Sequence, residues 1–305
     1  IYENVSNNTI IRKFDGIVAT LMKSIATSMK PVSRILCTAA CALLSGTVLN
    51  AQPAGWEWKE IKGGGEWGSA SLQLFGSDQT ISAVRYPAAE SFTELVSDPG
   101  KDRKRGSATP SGFGKRYGAR AVINGSYFDM KTLRPTTFIR DGWENEGTPA
   151  WERGWRTDGM IALDGRKVKV IPYTDSISCN MACRTCREMM ETGPVLIRGG
   201  RTGEGWASGH GFFSHRHPRS ILGIGGGHVY FIVIDGRHPG HADGVTIPEA
   251  AAIAEMFSLT DAVNLDGGGS SALWVKGIGV ISHPSDNKRF DRRGERRVPN
   301  AVILR

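Results

Sequence analysis

The sequence contains no apolar run as long as the roughly 20 residues that a membrane-spanning helix needs. Its longest weakly apolar stretch is residues 35–49, about 15 residues that follow Lys30 and Arg34 and precede Ala51. A basic start, a short apolar run and a small-residue end are typical of a secretory signal peptide. Cleavage is therefore favoured over a membrane anchor. It is also favoured over lipidation at Cys41, because the apolar run continues beyond that cysteine.

This segment sets the expected organisation of the chain. We predict that residues 29–51 are the signal peptide and that residues 1–28 are an upstream or mis-started segment. Residues 52–305 then form one secreted or periplasmic domain with no stable membrane span after cleavage. That part lacks internal repeats, low-complexity tracts and composition breaks, and it is long enough to bury one sizeable core.

Strong charge of one sign is also missing from the expected domain. Residues 52–305 carry 33 Lys/Arg against 28 Asp/Glu, a net charge of +5. The basic clusters at residues 101–105 and 289–297 are not interleaved with aromatic side chains, as a nucleic-acid-binding module would be. We therefore expect no nucleic-acid partner and interpret the clusters as solvated loops, whereas an anionic small substrate stays compatible.

Cysteine is scarce in the expected domain, where only Cys179, Cys183 and Cys186 occur. In an exported protein, one local disulfide with one thiol left over is compatible with this spacing, and three free cysteines are the other open alternative. A zinc site is disfavoured because no fourth ligand stands nearby at the usual spacing.

Short runs rich in β-branched residues recur along the chain, and they predict an α+β fold with a mixed β-sheet core, flanking helices and one β-α-β crossover. The clearest hairpin signal is Asp164-Gly165 between two apolar runs, which predicts a type I′ turn. The other predicted strands are residues 80–86, 119–123, 195–198, 220–224, 229–235, 262–265, 272–276 and 298–304.

One predicted helix, residues 247–258, has a strong start signal. Thr246 is a hydroxyl N-cap, Glu249 is an acid three residues later, and Pro248 falls in the first turn. The helix stands between strands 229–235 and 262–265, which favours a right-handed crossover with the two strands parallel. Parallel strands would bring Asp235 and Asp266, at their C-terminal ends, to the same edge of the sheet.

The segment Asn264-Leu265-Asp266-Gly267-Gly268-Gly269-Ser270-Ser271 is the most informative in the chain. Three glycines allow positive φ and close approach of the backbone to a ligand, and their N–H groups are able to form a nest for an anion. Asp266 would then face the part of the ligand that is next to the bound anionic group. A tight strand-to-strand turn without function is the alternative.

Several motifs in one order resemble the phosphodiester glycosidase family. They are Asn124-Gly-Ser-Tyr-Phe-Asp129, His217-Pro-Arg-Ser220, Asp235-Gly-Arg-His-Pro-Gly240 and the Asp-Gly-Gly-Gly-Ser turn. The likeness covers roughly residues 80–305. It implies a secreted single-domain α+β fold that hydrolyses the bond between the anomeric carbon of a sugar and a phosphate oxygen, with N-acetylglucosamine or a related sugar as the glycosyl group.

That chemistry assigns expected roles to residues of the four motifs. Arginines and fixed backbone donors would stabilise charge on the leaving phosphate, and a carboxylate would attack the anomeric carbon, activate water or stabilise an oxocarbenium-like transition state. Asparagines would hold sugar hydroxyls or orient the acids. The expected catalytic residues are Asp266, Asp235 and Asn124, and the expected substrate-binding residues are Arg219, Arg237, Asn264, Gly267, Gly268, Gly269, Ser270 and Asp129.

Additional side chains near these motifs leave alternatives open. Four histidines, His215, His217, His238 and His241, stand close to the motifs together with Asp243. No cofactor is required for the expected hydrolysis, but a divalent cation is an open alternative. Aromatic faces in the segment with Trp143, Trp151 and Trp155 suit either sugar stacking or capping of the core edge.

The expected partner is a sugar-phosphate small molecule or a glycan or cell-envelope polymer. A carbohydrate-binding module without turnover and a metal-dependent phosphodiesterase that cuts the P–O bond are the alternative functions.

Overall fold

The computed structural model describes residues 53, 55–98, 106–142, 144–148, 156–204, 206 and 210–305. These residues belong to one compact unit, Asn50–Arg305. The expected signal peptide, the basic cluster at residues 101–105 and the side chains of Trp143, Trp151 and Trp155 lie outside the described residues. Within the described part, no helix has the length and apolarity needed to cross a membrane.

The described residues form a β-rich structure with few helices. The helices are α1 (Pro110–Tyr117), α2 (Ser176–Thr185), α3 (Gly211–Ser214) and α4 (Ile247–Met256). The strands are β1 (Lys59–Glu60), β2 (Glu66–Leu74), β3 (Ser77–Pro87), β4 (Thr93–Ser97), β5 (Ala121–Asn124), β6 (Ile139–Asp141), β7 (Glu144–Glu146), β8 (Gly159–Asp164), β9 (Lys167–Pro172), β10 (Glu188–Thr192), β11 (Val195–Arg198), β12 (Arg201–Thr202), β13 (Arg219–Gly225), β14 (His228–Ile234), β15 (Asp261–Asn264), β16 (Leu273–Val275), β17 (Gly279–Val280) and β18 (Asn300–Leu304).

The strands make three sheets. An eight-stranded sheet has the order β1-β2-β3-β14-β13-β15-β11-β12, and two five-stranded sheets have the orders β7-β6-β10-β8-β9 and β17-β16-β5-β18-β4. Each predicted strand overlaps an observed one. The predicted α+β class is confirmed.

The expected crossover is present, but its strands are not neighbours. β14 and β15 run in the same direction because each pairs antiparallel with β13, which lies between them. Gly226 and Gly227, with φ of 54° and 77°, make the two-residue turn that pairs β13 with β14 locally. This hairpin occupies one edge of β13 and leaves the other for β15. All pairings among the described strands are antiparallel, so the mixed sheet expected from the sequence is wrong in this respect.

The hairpin of β8 and β9 is confirmed, although its turn differs from the predicted type. Asp164 pairs with Lys167, so the loop residues are Gly165 and Arg166. Gly165 has a φ of 59°, and Arg166 does not have a positive φ. A type I′ turn needs positive φ at both positions, so one positive φ at the first indicates type II′.

The central strands of the large sheet are buried on both faces. Phe231 and Val233 of β14 pack in the cluster shared with the two smaller sheets, whereas Ile232 and Ile234 pack in a second cluster with α4. Alternation of side chains along a strand produces this division. A capping box fixes the start of α4, because Thr246 Oγ1 accepts from Glu249 N and Glu249 Oε2 accepts from Thr246 N.

The cysteine segment forms a helix rather than a disulfide-bonded loop. Asp175 caps α2 by accepting a hydrogen bond from Ser178 N at 3.0 Å. Cys179, Cys183 and Cys186 are all free, and the first and last are buried in one apolar cluster. Of the two alternatives left open by the sequence, the structure has the free cysteines, and their side chains make packing contacts.

Candidate functional site

Three charged residues expected from the sequence meet at one edge of the eight-stranded sheet. Arg219 begins β13, Asp235 follows β14 and Asp266 closely follows β15. Because β13 runs antiparallel to both neighbours, its first residue lies beside their last residues. The end of β5 joins this edge, since Asp266 N donates to Gly125 O at 3.1 Å. The structure thus unites segments from two sheets.

Asp266 is partly buried among hydrogen-bond donors. Its Oδ1 accepts from the N–H of Gly267 at 2.9 Å. Burial raises the pKa of Asp266 to about 6, although the Ser270 hydroxyl, Arg156, the Gly267 amide and Arg296 oppose the shift. A carboxyl group with this pKa is ionised above about pH 6, and a pKa shifted in this way is typical of functional sites.

The glycine turn after Asp266 is built differently from an open anion nest. Gly268 N donates to Pro218 O at 2.9 Å, and Ser270 N donates to Gly267 O at 3.2 Å. With the Gly267 amide bound to Asp266, three of the four expected amide donors serve the protein itself. Gly269 is the remaining candidate. A Cβ on Gly267 would stand 2.8 Å from Pro218 O, so close backbone contact requires this glycine.

Arg219 is a buried cation held by neutral groups. Its Nε donates to Val245 O at 3.1 Å, and its Nη2 donates to the carbonyls of Phe212 and His215 at 2.6 and 3.2 Å. No carboxylate of the described residues forms an ion pair with it. Burial lowers its pKa to about 10, and the charge of Arg237 adds to the effect. A buried guanidinium without a counter-ion is suited to binding an anion.

Two further arginines contact the glycine turn from either side. A Cβ on Gly268 would lie 2.9 Å from Arg237 Nη2, and one on Gly269 would collide with Arg296 Nη2. Arg296 also donates to Asp286, with Nε 3.1 Å from each carboxylate oxygen, and approaches Ser270 Oγ at 3.4 Å. Arg237 is exposed and Arg296 is partly buried. The Asp286 carboxylate that pairs with Arg296 also lies against the Gly269 position, so of these two arginines only Arg237 forms no ion pair within the described residues.

Sequence reasoning missed Arg296 and Arg156. The neighbouring Arg297 instead donates to Ser107, away from the turn. Successive side chains of extended backbone point to opposite sides, and the sequence does not show which arginine of the pair faces inward. Arg156 lies with its guanidinium carbon 4.1 Å from the ring centroid of Tyr127. It belongs to no recognisable motif.

The carboxylate of Asp235 is hydrogen-bonded to His283, a residue that sequence reasoning also missed. Asp235 is 1% exposed, and its Oδ2 lies 2.8 Å from His283 Nδ1. The backbone N–H of His283 donates to the other carboxylate oxygen at 2.9 Å. Burial raises the pKa of Asp235, while the hydrogen bonds from His283 oppose that rise. The short sequence Ser282-His283-Pro284 carries no motif that would have revealed the pair.

The side chain of Asn124 holds the backbone of Asp266 through a hydrogen bond. Its Oδ1 accepts from Ser220 Oγ at 2.7 Å and from Ala272 N at 3.3 Å, and its Nδ2 donates to Asp266 O at 2.7 Å. The side chain is fully buried. These bonds position the backbone of Asp266, so the structure places Asn124 as a support and not in the open part of the site.

The side-chain amide of Asn264 is hydrogen-bonded through its nitrogen but not through its oxygen within the described residues. Its Nδ2 donates to Tyr127 OH at 2.8 Å and to Gly193 O at 3.0 Å. Its buried Oδ1 has no hydrogen-bond partner among the described residues. This oxygen is available to accept from a water or a ligand hydroxyl.

Asp129 lies apart from these residues. It is exposed and closes a tight turn, with Oδ1 accepting from Lys131 N at 2.9 Å and from Thr132 N at 2.7 Å. These bonds lower its pKa. Lys131 and Thr132 line a cavity of about 1040 Å³ that neither Asp266 nor Arg219 lines. The structure does not bring Asp129 to the glycine turn.

The histidines do not form a metal site in the described part of the chain, where no group of three or more His, Cys, Asp or Glu side chains is arranged to hold an ion. Burial, together with the charges of Arg219, Arg237 and His215, lowers the pKa of His217 to about 4. His238 and His241 pack around Phe290, with ring centroids 5.4 and 4.5 Å away.

Comparisons with known proteins show the family and the fold of the chain. A family model described as phosphodiester glycosidase matches residues 117–305. None of the curated protein sequences compared with the chain is significantly similar to it.

Two solved structures share the fold. A hypothetical protein from Synechocystis is 15% identical with a TM-score of 0.61, and the alignment covers 81% of this chain and 63% of that protein. The catalytic domain of zebrafish N-acetylglucosamine-1-phosphodiester alpha-N-acetylglucosaminidase, auto-inhibited by its pro-peptide, is 16% identical with a TM-score of 0.59. That alignment covers 79% of this chain and 82% of the zebrafish domain.

Proposed function

Because the chain belongs to the phosphodiester glycosidase family, we propose that it is an exported hydrolase that cleaves the anomeric C–O bond of a sugar 1-phosphodiester. The observation that carries this proposal is the buried guanidinium of Arg219, which has no carboxylate partner among the described residues and packs beside the Asp266 turn. A site with a fixed cation and a carboxyl group of raised pKa matches a substrate with an anionic leaving group and a developing positive charge.

The arginines bind the phosphate end of the substrate. Arg219 is held by three carbonyls, while Arg237 lies against Gly268 and Arg296 against Gly269. Guanidinium groups form paired hydrogen bonds with phosphate oxygens. As the C–O bond breaks, the electron pair stays with the phosphate oxygen, and these cations stabilise the added negative charge.

The carboxylate of Asp266 acts on the sugar. Because Asp266 lies beside the arginines proposed to bind the phosphate, we propose that it acts at the anomeric carbon, where an ionised carboxylate stabilises an oxocarbenium-like transition state. Asn264 Oδ1, which is buried without a protein partner in the described part, accepts a hydrogen bond from a sugar hydroxyl. Asn124 holds the Asp266 backbone in place through its carbonyl.

Asp235 and His283 together take the proton of the attacking water. With Asp235 ionised, His283 Nδ1 carries the proton in their hydrogen bond, and Nε2, which has no hydrogen-bond partner among the described residues, accepts a proton from water. Hydroxyl adds to the anomeric carbon, the phosphate monoester leaves, and the proton passes from Nε2 to the released phosphate or to solvent. Asp235 is thus a positioning residue for His283, which replaces our expectation of a second carboxylate at the sugar.

The substrate and location are extensions of this proposal. The zebrafish relative is named for N-acetylglucosamine 1-phosphodiester, and we propose N-acetylglucosamine or a related sugar for this chain, carried by a small molecule or a cell-envelope glycan. Guanidinium groups supply the positive charge at the phosphate, so the proposed reaction needs no metal ion. Export rests on the signal-like segment at residues 29–51.

Product analysis tests the proposal. The purified protein is expected to release reducing sugar and a phosphate monoester from a glycosyl phosphodiester, and to do so equally well in chelator. Asp266→Asn is expected to abolish release while keeping the fold. Release of sugar phosphate that stops in chelator would indicate a metal-dependent phosphodiesterase instead. Binding without turnover over a broad sugar panel would indicate a carbohydrate-binding module.

A further inference from the structure

Residues 287–293, which we call the basic arm, form a loop fixed by its own hydrogen bonds. Asn287 Nδ2 donates to Asp291 Oδ1 at 2.8 Å, and the same oxygen accepts from Arg293 N at 2.9 Å. Arg289 N donates to Asn287 Oδ1 at 3.0 Å. These contacts close the loop on itself, so it has a defined shape that a freely solvated charge run would lack.

An aromatic stack fastens the arm to the core. The ring of Phe290 lies between two imidazoles, with centroids 4.0 Å from His283 and 4.5 Å from His241, and interplanar angles of 19° and 2°. His283 is in turn held by the buried Asp235. The arm is therefore anchored at its middle to the pair that is proposed to take the proton of the attacking water.

The arm also begins beside the glycine turn. The short 3₁₀ turn at Ser285–Asn287, which leads into it, packs against the turn at Gly268–Ser270. Arg296, just after the arm, joins the two turns through Asp286 and Ser270. A ligand that is bound at the glycine turn and extends towards Ser285–Asn287 would contact the arm.

The charge of the arm is unbalanced. Lys288, Arg289, Arg292 and Arg293 are exposed, and none of them forms an ion pair with an acid of the described residues. Asp291 is the one acid in the arm, so its net charge is +3. By contrast, arginines elsewhere on the described surface, such as Arg198 and Arg216, pair with Asp261 and Glu249. The arm thus presents exposed cations that form no ion pair within the described part of the chain, close to the glycine turn.

We propose that the basic arm binds a second phosphate of the same substrate, so that the preferred substrate is a glycan with phosphodiesters repeated along its chain. This inference rests on the proposed function, because the glycine turn is taken to hold the phosphate that leaves. An arm fixed in shape loses little conformational freedom on binding, and guanidinium groups match phosphate geometry. A single sugar phosphodiester with an uncharged aglycone occupies the turn and leaves the arm empty.

The test compares two ligands that differ in the number of phosphates. One is a defined oligomer of four N-acetylglucosamine 1-phosphate repeats, and the other is a single N-acetylglucosamine 1-phosphodiester with an uncharged alkyl aglycone. Binding is measured by calorimetry at two salt concentrations in the Asp266→Asn protein, so that neither ligand is consumed. The arm variant in that background carries Lys288→Asn, Arg289→Gln, Arg292→Gln and Arg293→Gln.

A matched control removes four exposed cations elsewhere, through Lys62→Gln, Lys167→Gln, Lys169→Gln and Arg201→Gln. Both variants lose the same total charge, so long-range attraction is lowered equally.

We expect the oligomer to bind at least tenfold more tightly than the single phosphodiester, and the arm variant to lose roughly tenfold in oligomer affinity together with much of the salt dependence. The control variant is expected to keep the oligomer preference. An oligomer that binds no more tightly than the single phosphodiester overturns the inference, and so does an equal loss in both variants. The proposed function is judged separately, by whether the wild-type protein hydrolyses the single phosphodiester.

Discussion

His283 Nδ1 lies 2.8 Å from Asp235 Oδ2, and the backbone N–H of the same histidine donates to the other oxygen of that carboxylate at 2.9 Å. Two bonds from one residue fix both the position and the orientation of the imidazole. Because Asp235 is 1% exposed, water does not compete for its oxygens. The pair therefore resembles the oriented histidines of acid–base catalysis more than a free second carboxylate.

This geometry predicts a kinetic effect for His283→Ala. Loss of the proton acceptor is expected to lower kcat by about 10² to 10⁴-fold with little change in KM, since the arginines still bind the phosphate. Unchanged kcat in a folded His283→Ala protein would rule out proton transfer by this residue. Asp235→Asn serves as the matched variant, expected to impair kcat because the imidazole loses its carboxylate.

Asp266→Asn is expected to stabilise the protein at neutral pH. The folded-state pKa of about 6 exceeds the ordinary value of 3.8, so the folded protein binds more protons than the unfolded chain between these values. Ionisation therefore lowers the free energy of unfolding as pH rises through this window, by about 2–3 kcal/mol. Asparagine does not ionise and avoids this loss.

The check is a series of denaturant titrations of both proteins from pH 4 to pH 8. The stability difference between Asp266→Asn and wild type is expected to grow with pH and to level off above about pH 7. A difference that is constant across the series would contradict the raised pKa. The expected pattern is also typical of active-site residues, where function and stability oppose each other.

Arg219→Lys is expected to weaken phosphate binding without removing the charge. Lysine lacks the planar fork, so it cannot reach the three carbonyls and a phosphate together. We expect KM for a glycosyl phosphodiester to rise about tenfold or more, and inorganic phosphate to raise the Tm less than it does in wild type. Arg198→Lys is the control, since that arginine makes an exposed pair with Asp261. Equal behaviour of the two variants would contradict an anion-binding role for Arg219.

Asn124→Ala is expected to act through stability first. The substitution removes the acceptor of Ser220 Oγ and Ala272 N and the donor to Asp266 O, all of them buried. Leaving such groups unsatisfied costs about 2–4 kcal/mol of unfolding free energy in total. The exposed Asn180→Ala on α2 is expected to change stability by no more than about 0.5 kcal/mol. If Asn124→Ala proved as stable as wild type but inactive, Asn124 would contact substrate instead of supporting Asp266.

Local signals in the sequence predicted much of the fold. The Thr246 and Glu249 capping box fixed the start of α4, and the β-branched runs located the central strands. Helix α1 was missed because Gly112 and Gly114 lower its helix propensity, although Thr109 and Pro110 begin it in the usual way. The place of β13 between β14 and β15 depends on competition between pairings, which the order of elements does not reveal.

The site residues that could be predicted from the sequence are those that lie next to the ends of strands. Arg219, Asp235 and Asp266 meet because each adjoins the end of a neighbouring strand. His283, Arg156 and Arg296 reach the same region from connecting segments, whose path depends on tertiary packing, so no local pattern identified them. The glycines were recognised, but the use of their amides by Pro218 and Asp266 depends on residues that only the folded chain brings together.

The most direct test of the central claim is hydrolysis of a glycosyl phosphodiester in water labelled with ¹⁸O. Cleavage of the anomeric C–O bond places the label on the hydroxyl of the released sugar and leaves the phosphate monoester unlabelled, as mass spectrometry of the two products would show. Label found in the phosphate would mean that water attacks phosphorus, and it would contradict the roles proposed for Asp266 and for the arginines around the glycine turn.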